Sequence, residues 1–194
     1  KVAAGLGLEA PPAMPRALTK PAKPEVTKSA ALSLTALPGE LGIRSRKIAI
    51  LVADGVQSQS VSEIQQALLA AGALPVLIGA RLGAVRTADK KPLDVMATFE
   101  NSPAVLFDAV VLLDGRPAPE SLGQLKEFLV NQYRHCKTFL VQGGATSLLE
   151  KLGIPLRLAD GKADPGIITD SPAKFIAALA RHRHPERESD PPIV

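Results

Sequence analysis

Tryptophan is missing from this chain, tyrosine and cysteine occur once each, and aromatic residues make up only 3% of its 194 positions. Its core must therefore be aliphatic. The paired basic and aromatic surface that nucleic-acid binding calls for has little material to draw on. With Cys136 alone, neither an internal disulfide nor a thiolate metal cluster can form, and a reducing cytoplasm is the expected compartment. No apolar run reaches the ~18 residues of a membrane span, and no basic start, apolar centre and small-residue cleavage site open the chain. The net charge of +4 is spread rather than clustered, so neither nucleic acid nor membrane is expected as a partner. Because it starts at Lys1 and not at Met, the chain reads as a piece of something longer.

What is present divides into an arm, a domain and a tail. Over residues 1–46, Pro11, Pro12, Pro15, Pro21, Pro24 and Pro38 forbid a continuous helix or central strand. Lys1 to Leu8 is expected to carry the last turns of a helix, with Val2 and Leu6 on one face. Leu18, Leu32, Leu34, Leu37 and Leu41 are spaced as anchors for an extended arm lying on another surface. From Lys47 the pattern alternates strands and helices through residue 182. Lys47–Ala53 is a nearly uninterrupted apolar run suited to a central parallel strand. Ser60 and Glu63 have capping-box spacing, Val61, Ile64, Leu68 and Ala71 form a helix face, Gly72 stops the helix, and Leu74–Ile78 returns as a strand. Val85–Ala88 and Leu93–Val95 predict a short hairpin at the sheet edge. Phe107–Leu113 predicts a buried strand, and Ser171-Pro172 opens a final helix through Phe175 and Leu179. Residues 183–194 are expected to be a polar, frayed tail.

The stretch Phe139–Leu149 carries the sharpest signal, an apolar strand followed by Gln142-Gly143-Gly144 and a helix start. In α/β enzymes the first residue past such a strand sits on a strained elbow beside helix N-H groups and serves as nucleophile. That residue is Gln142 here, and a carboxamide is neither nucleophile nor base. The other strand ends supply Asp54 and Asp114. Of the three histidines, His135 precedes the elbow strand, at the wrong end of the sheet, and His182 and His184 are expected on a surface helix end. Cys136 also enters that strand rather than leaving it, and is expected to be a structural thiol. Gly55, Gly143 and Gly144 lack the spacing of a phosphate loop.

From Lys47-Ile48-Ala49-Ile50-Leu51 through the elbow, the chain resembles the PfpI-type domain of the class I glutamine-amidotransferase-like superfamily. The resemblance implies a flavodoxin-like three-layer α/β sandwich with a mostly parallel central sheet over residues 47–182, preceded by the Pro-rich arm. Active members place a Cys at the elbow, a Glu after the first strand and a His after the elbow helix. Here those positions are Gln142, Ser60 and vacant, no His lying between Gly143 and Arg181. The expected reading is a vestigial elbow of Gln142, Gly143 and Gly144, a vestigial acid position at Ser60, and no catalysis. Val2–Leu8 with Pro11-Pro12, Ser29–Ser33, and Thr98-Phe99-Glu100 before Phe107–Val111 are similar to the C-terminal part of large-subunit haem catalases. That resemblance implies a homotetrameric parent that disproportionates hydrogen peroxide on haem, with the catalase core and neighbouring subunits as partners of this part. It implies no cofactor here, since Tyr133 lacks the basic motif of a haem ligand. It points to a structural role, or alternatively to a holdase-like module taking unfolded clients, ahead of an active PfpI-type hydrolase.

Overall fold

The computed structural model describes residues 42–188 and, in the arm, residues 2–9, 12, 14, 15, 20, 23, 25–27 and 29. By its internal contacts the chain divides into two compact units, Lys1–Ala36 and Leu37–Val194. In the first, α1 (Val2–Gly5) ends as Gly7 turns into the left-handed region (φ 66°), and Leu6 and Leu8 are exposed. Leu18, Leu32, Leu34, Leu37 and Leu41 lie outside the described residues. In the second, Ile43 is 3% exposed and Ser45 N-H donates to Gly72 O, so the folded domain reaches back beyond the boundary expected at residue 46.

That domain contains β1 (Lys47–Leu51), α2 (Ser58–Ala70), β2 (Leu74–Gly79), β3 (Gly83–Arg86), β4 (Pro92–Val95) and β5 (Ala97–Thr98). It continues with β6 (Ala109–Leu112), α3 (Leu122–Arg134), β7 (Thr138–Val141), α4 (Ala145–Lys151), β8 (Ile167–Ile168) and α5 (Pro172–Ala180). Six strands form one sheet in the order β5-β2-β1-β6-β7-β8, and every pairing is parallel. Parallel strands need crossover helices, which cover both faces and leave no wet side. Alternation along β1 shows the two faces: Ile48 and Ile50 point toward α2 and α5, with Val61, Ile64, Leu68, Phe175 and Leu179. Ala49 and Leu51 point toward α3 and α4, with Leu125, Phe128, Leu129 and Leu149. This is the expected three-layer α/β sandwich.

Three local expectations are corrected. The helix after β1 starts at Ser58 behind Gln57, so Ser60 and Glu63 lie inside it and make no capping box. Glu63 instead accepts from Gln59 Nε2 at 2.8 Å. The start is fixed by apolar contacts, because Val56 and Val61 occupy hydrophobic-staple positions and both are buried in one cluster. The hairpin β3-β4 is a separate antiparallel sheet rather than an edge of the main one. Finally, the chain does not fray at Arg183.

After α5, His182 adopts φ 70° and the chain doubles back under the amino end of β7. His184 is fully buried, its amide donating to Cys136 O at 2.8 Å and its Nε2 lying 2.9 Å from Thr138 Oγ1. Arg187 Nε donates to Asp164 Oδ2 at 2.6 Å, with both side chains sealed from solvent, and its NH1 donates to Lys137 O. The guanidinium carbon lies 4.6 Å from the centroid of Tyr133 and 5.4 Å from that of Phe139. Gly166 is required beneath this segment, for a Cβ there would stand 2.3 Å from Arg187 NH2 and 2.5 Å from His184 Cδ2. A polar composition implied solvent, but paired charges and hydrogen bonds carry these residues inside.

Removing one member of a buried ion pair strands the other in a low-dielectric interior. Arg187→Met is expected to lower the unfolding free energy by about 3–5 kcal/mol, measured by urea unfolding. Adding Asp164→Asn, which keeps an acceptor for Gly166 N-H, should recover part of that loss.

Candidate functional site

Helices leave β1 and β6 toward opposite faces, so a crevice opens beyond the carboxyl ends of these adjacent strands. It holds a cleft of about 1020 Å³ whose wall includes Arg81, Val85, Phe99, Arg116, Glu120 and Gln124. Arg81 and Glu120 approach to 3.7 Å, but both are largely exposed, and water and salt screen such a pair. Neither Ser60 nor Gln142, Gly143 and Gly144 belongs to this wall.

Of the three residues that follow the central strands, Asp54 is used structurally. Its Oδ1 accepts from Arg86 N-H at 2.8 Å and its carbonyl from Arg116 N-H at 2.7 Å, tying the hairpin and the loop after β6 to the end of β1. Asp114 reaches from the end of β6 to the elbow, where its Oδ1 accepts from Gly144 N-H at 2.6 Å. Gln142 is half-buried, and its amide continues the ladder by donating to Leu112 O at 3.0 Å.

The left-handed position is not the expected one: Gln142 lies outside that region, and the residue within it is Gly143, with φ 60°. A Cβ on Gly143 would lie 2.0 Å from Asp114 Oδ2, 2.6 Å from its Cγ and 2.7 Å from its Oδ1. The space beside Gly143 is therefore filled by the carboxylate of the neighbouring strand end, and only glycine fits there. The Gly144 N-H is likewise committed to that carboxylate. The pairing of Asp114-Gly115 after one apolar strand with Gly143-Gly144 after the next was visible in the sequence; the adjacency of β6 and β7 gives it meaning.

The histidines stand at the other end of β7. His135 is the exposed C-cap of α3, His182 is half-buried with its pKa lowered by burial and by Arg183, and His184 touches Thr138, the first residue of the strand. The elbow follows the last residue, so roughly 3.3 Å per residue of strand separates the two ends. His184 is thus not on a surface helix end: burial, then Arg187 and Arg181, push its pKa down to about 4. Cys136 is buried, and that burial raises its thiol pKa above the ordinary value, which leaves it protonated and inert. Ser60 sits half-buried in the first turns of α2.

Among the described residues, no group of three or more His, Cys, Asp or Glu side chains is placed to hold a metal ion. Tyr133, the sole tyrosine, is 5% exposed, packs edge-on to Phe139 and lies beneath Arg187, and burial raises its pKa. A phenol enclosed in this way does not fit haem ligation. Among the described residues, no helix is long and apolar enough to cross a membrane.

Residues 44–189 match the model of a C-terminal domain found in long catalases. Catalase HPII of Pseudomonas putida is 37% identical over 97% of this chain, and Catalase HPII of Pseudomonas aeruginosa is 33% identical over 97%. The chain spans only 26% of the length of each of these relatives. Among solved structures, oxidised Toxoplasma gondii DJ-1 superposes with a TM-score of 0.55 at 16% identity, covering 70% of this chain and 87% of that one. Drosophila melanogaster DJ-1beta gives 0.55 at 17% identity, covering 72% and 91%. These likenesses show the fold.

Gly143→Ala would force a methyl into the Asp114 carboxylate and a non-glycine residue into the left-handed region. The expected loss is roughly 1–3 kcal/mol of stability. Combining it with Asp114→Ala should cost less than the two single losses added, a coupling read from a double-mutant cycle of thermal or urea unfolding.

Proposed function

Because the chain belongs to the family of C-terminal domains found in long catalases, we propose that it is a non-catalytic, stabilising module of a parent haem catalase. The observation that carries this reading is Gln142 at the carboxyl end of β7, where the nucleophile position holds a carboxamide while His184 touches the first residue of the same strand. Gln142 and Ser60, at the positions of nucleophile and acid, supply neither function. On this proposal the peroxide chemistry, the haem and its ligands, and the homotetramer in the cytoplasm belong to the remainder of the parent. The partners of this part are the catalase core and neighbouring subunits. The Pro-rich arm that precedes Ile43 is the linker, and the domain follows it.

A second reading, a holdase-like module for unfolded clients, is favoured by one feature. Leu69, Leu74, Leu82, Met96, Val105 and Leu106 on the folded domain and Leu6 and Leu8 on the arm are 48–72% exposed. Burying such a side chain is worth roughly 1.5–3 kcal/mol, so several together favour association with apolar surface.

The purified chain is expected to evolve no oxygen from peroxide and to show no Soret band after incubation with haemin; either signal would sink the non-catalytic reading. Gln142→Cys is expected to yield an oxidisable thiol without esterase turnover, since Ser60 provides no carboxylate and the histidines lie at the far end of β7. Light scattering from a heat-denatured test protein separates the two readings: protection by the full chain and less by residues 42–194 places a client surface on the arm. Equal protection by both places it on the domain, and protection by neither removes the holdase reading.

A further inference from the structure

The segment that follows α5 is held beside one buried group that a proton can change, the His184 ring. His184 and Arg187 occupy the carbonyls of Cys136 and Lys137 at the head of β7, and the segment covers Cys136, Tyr133 and Lys137, each no more than 6% exposed. Among the described residues the His184 ring has one hydrogen-bond partner, Thr138 Oγ1 at Nε2, while its buried Nδ1 has none. A neutral imidazole tolerates this, because a bare lone pair can stay unbonded at modest cost. The imidazolium cannot, because both nitrogens become donors and the second N-H finds no acceptor.

The surroundings do not compensate the charge. The segment itself contributes His182, Arg183, Glu186, Arg187 and Glu188, the end of α5 contributes Arg181, and Asp164 faces the ring from the loop before β8. Cys136 and Lys137 lie at the head of β7, and Tyr133 sits beneath Arg187. The two carboxylates that act on the ring are already matched, Asp164 to Arg187 at 2.6 Å and Glu186 to Arg181 at 2.7 Å. A proton on His184 therefore adds a third cation beside Arg187 and Arg181 with no carboxylate left to pair it.

We propose that residues 181–188 form an acid-released latch: protonation of His184 detaches the segment from the amino end of β7 and uncovers Cys136 while the sheet stays folded. Folded His184 is held at about 4 against an ordinary value of 6.5, so the open state binds the additional proton between these limits. The closed state is therefore fully favoured above pH 6.5 and is progressively lost as pH falls toward 4, with an open population growing by up to about tenfold per pH unit in that window.

The chain carries its own reporters, since its single cysteine and single tyrosine both lie under the segment. The experiment is the rate at which 4,4′-dithiodipyridine modifies Cys136 in the full chain from pH 7.5 to 4.5, divided by that of a small free thiol at each pH, with far-UV circular dichroism alongside. The normalised rate should rise about tenfold per pH unit below pH 6.5 with helix and sheet content unchanged. His184→Gln and His184→Asn, which remove the titrating group, should give flat profiles. A rise of the same size in either folded variant overturns the proposal, as does a wild-type thiol still protected at pH 4.5. Should neither variant fold, amide exchange of the wild type decides. The His184 and Arg187 amides must lose protection at higher pH than those of Ile50 and Val111, and simultaneous loss would mean global unfolding in place of a latch.

Discussion

A parallel strand with helices on both of its faces has no wet side for a polar side chain, and this constraint organises the domain. From Ile48 to Leu51 and from Ala109 to Leu112 every side chain is apolar and buried, alternate residues belonging to different clusters. Polar groups are driven to the strand ends. There they decide what the domain can do, since backbone N-H and carbonyl groups left over from the ladder also need partners.

The two ends of β7 show two solutions. At the carboxyl end a single carboxylate, Asp114, answers the Gly144 N-H and fills the hollow that Gly143 leaves. At the amino end a whole segment returns from α5, so that Arg187 and His184 take the carbonyls of Lys137 and Cys136. Both ends depend on glycine where another backbone or side chain comes close: Gly143 against Asp114, and Gly166 against Arg187 and His184. The first arrangement ties the end of β6 to the turn after β7. The second turns a polar terminus into part of the interior.

These arrangements join distant segments of the domain at both ends of β7. The Asp114 carboxylate holds the turn after β7 against the end of β6, while the sealed Arg187–Asp164 pair ties the chain's last described turn to the sheet. A buried pair of this kind is weak evidence for net stability, but loss of either partner leaves the other charge buried and unpaired. The acid sensitivity assigned to His184 follows from the same economy of partners, for a ring with one hydrogen bond and two arginine neighbours has no provision for a second proton.

The sequence by itself determined the sandwich, because the two-sided burial of β1, β6 and β7 appears directly as apolar runs, and Gly72 and Ser171-Pro172 mark helix ends by local chemistry. It also carries a carboxamide, Gln142, directly after the apolar run of β7. Its local rules failed where a non-local contact prevailed. The capping-box spacing of Ser60 and Glu63 gave way to the buried anchors Val56 and Val61, and the polar stretch after Arg183 was drawn inside by Asp164 and Thr138. Only the tertiary structure decided that Gly143 carries the strained angle and that Asp114 occupies its hollow. Periodicity along a chain reports which faces are buried, whereas the pairing of one strand end with the next depends on strand order, and no single segment encodes that order.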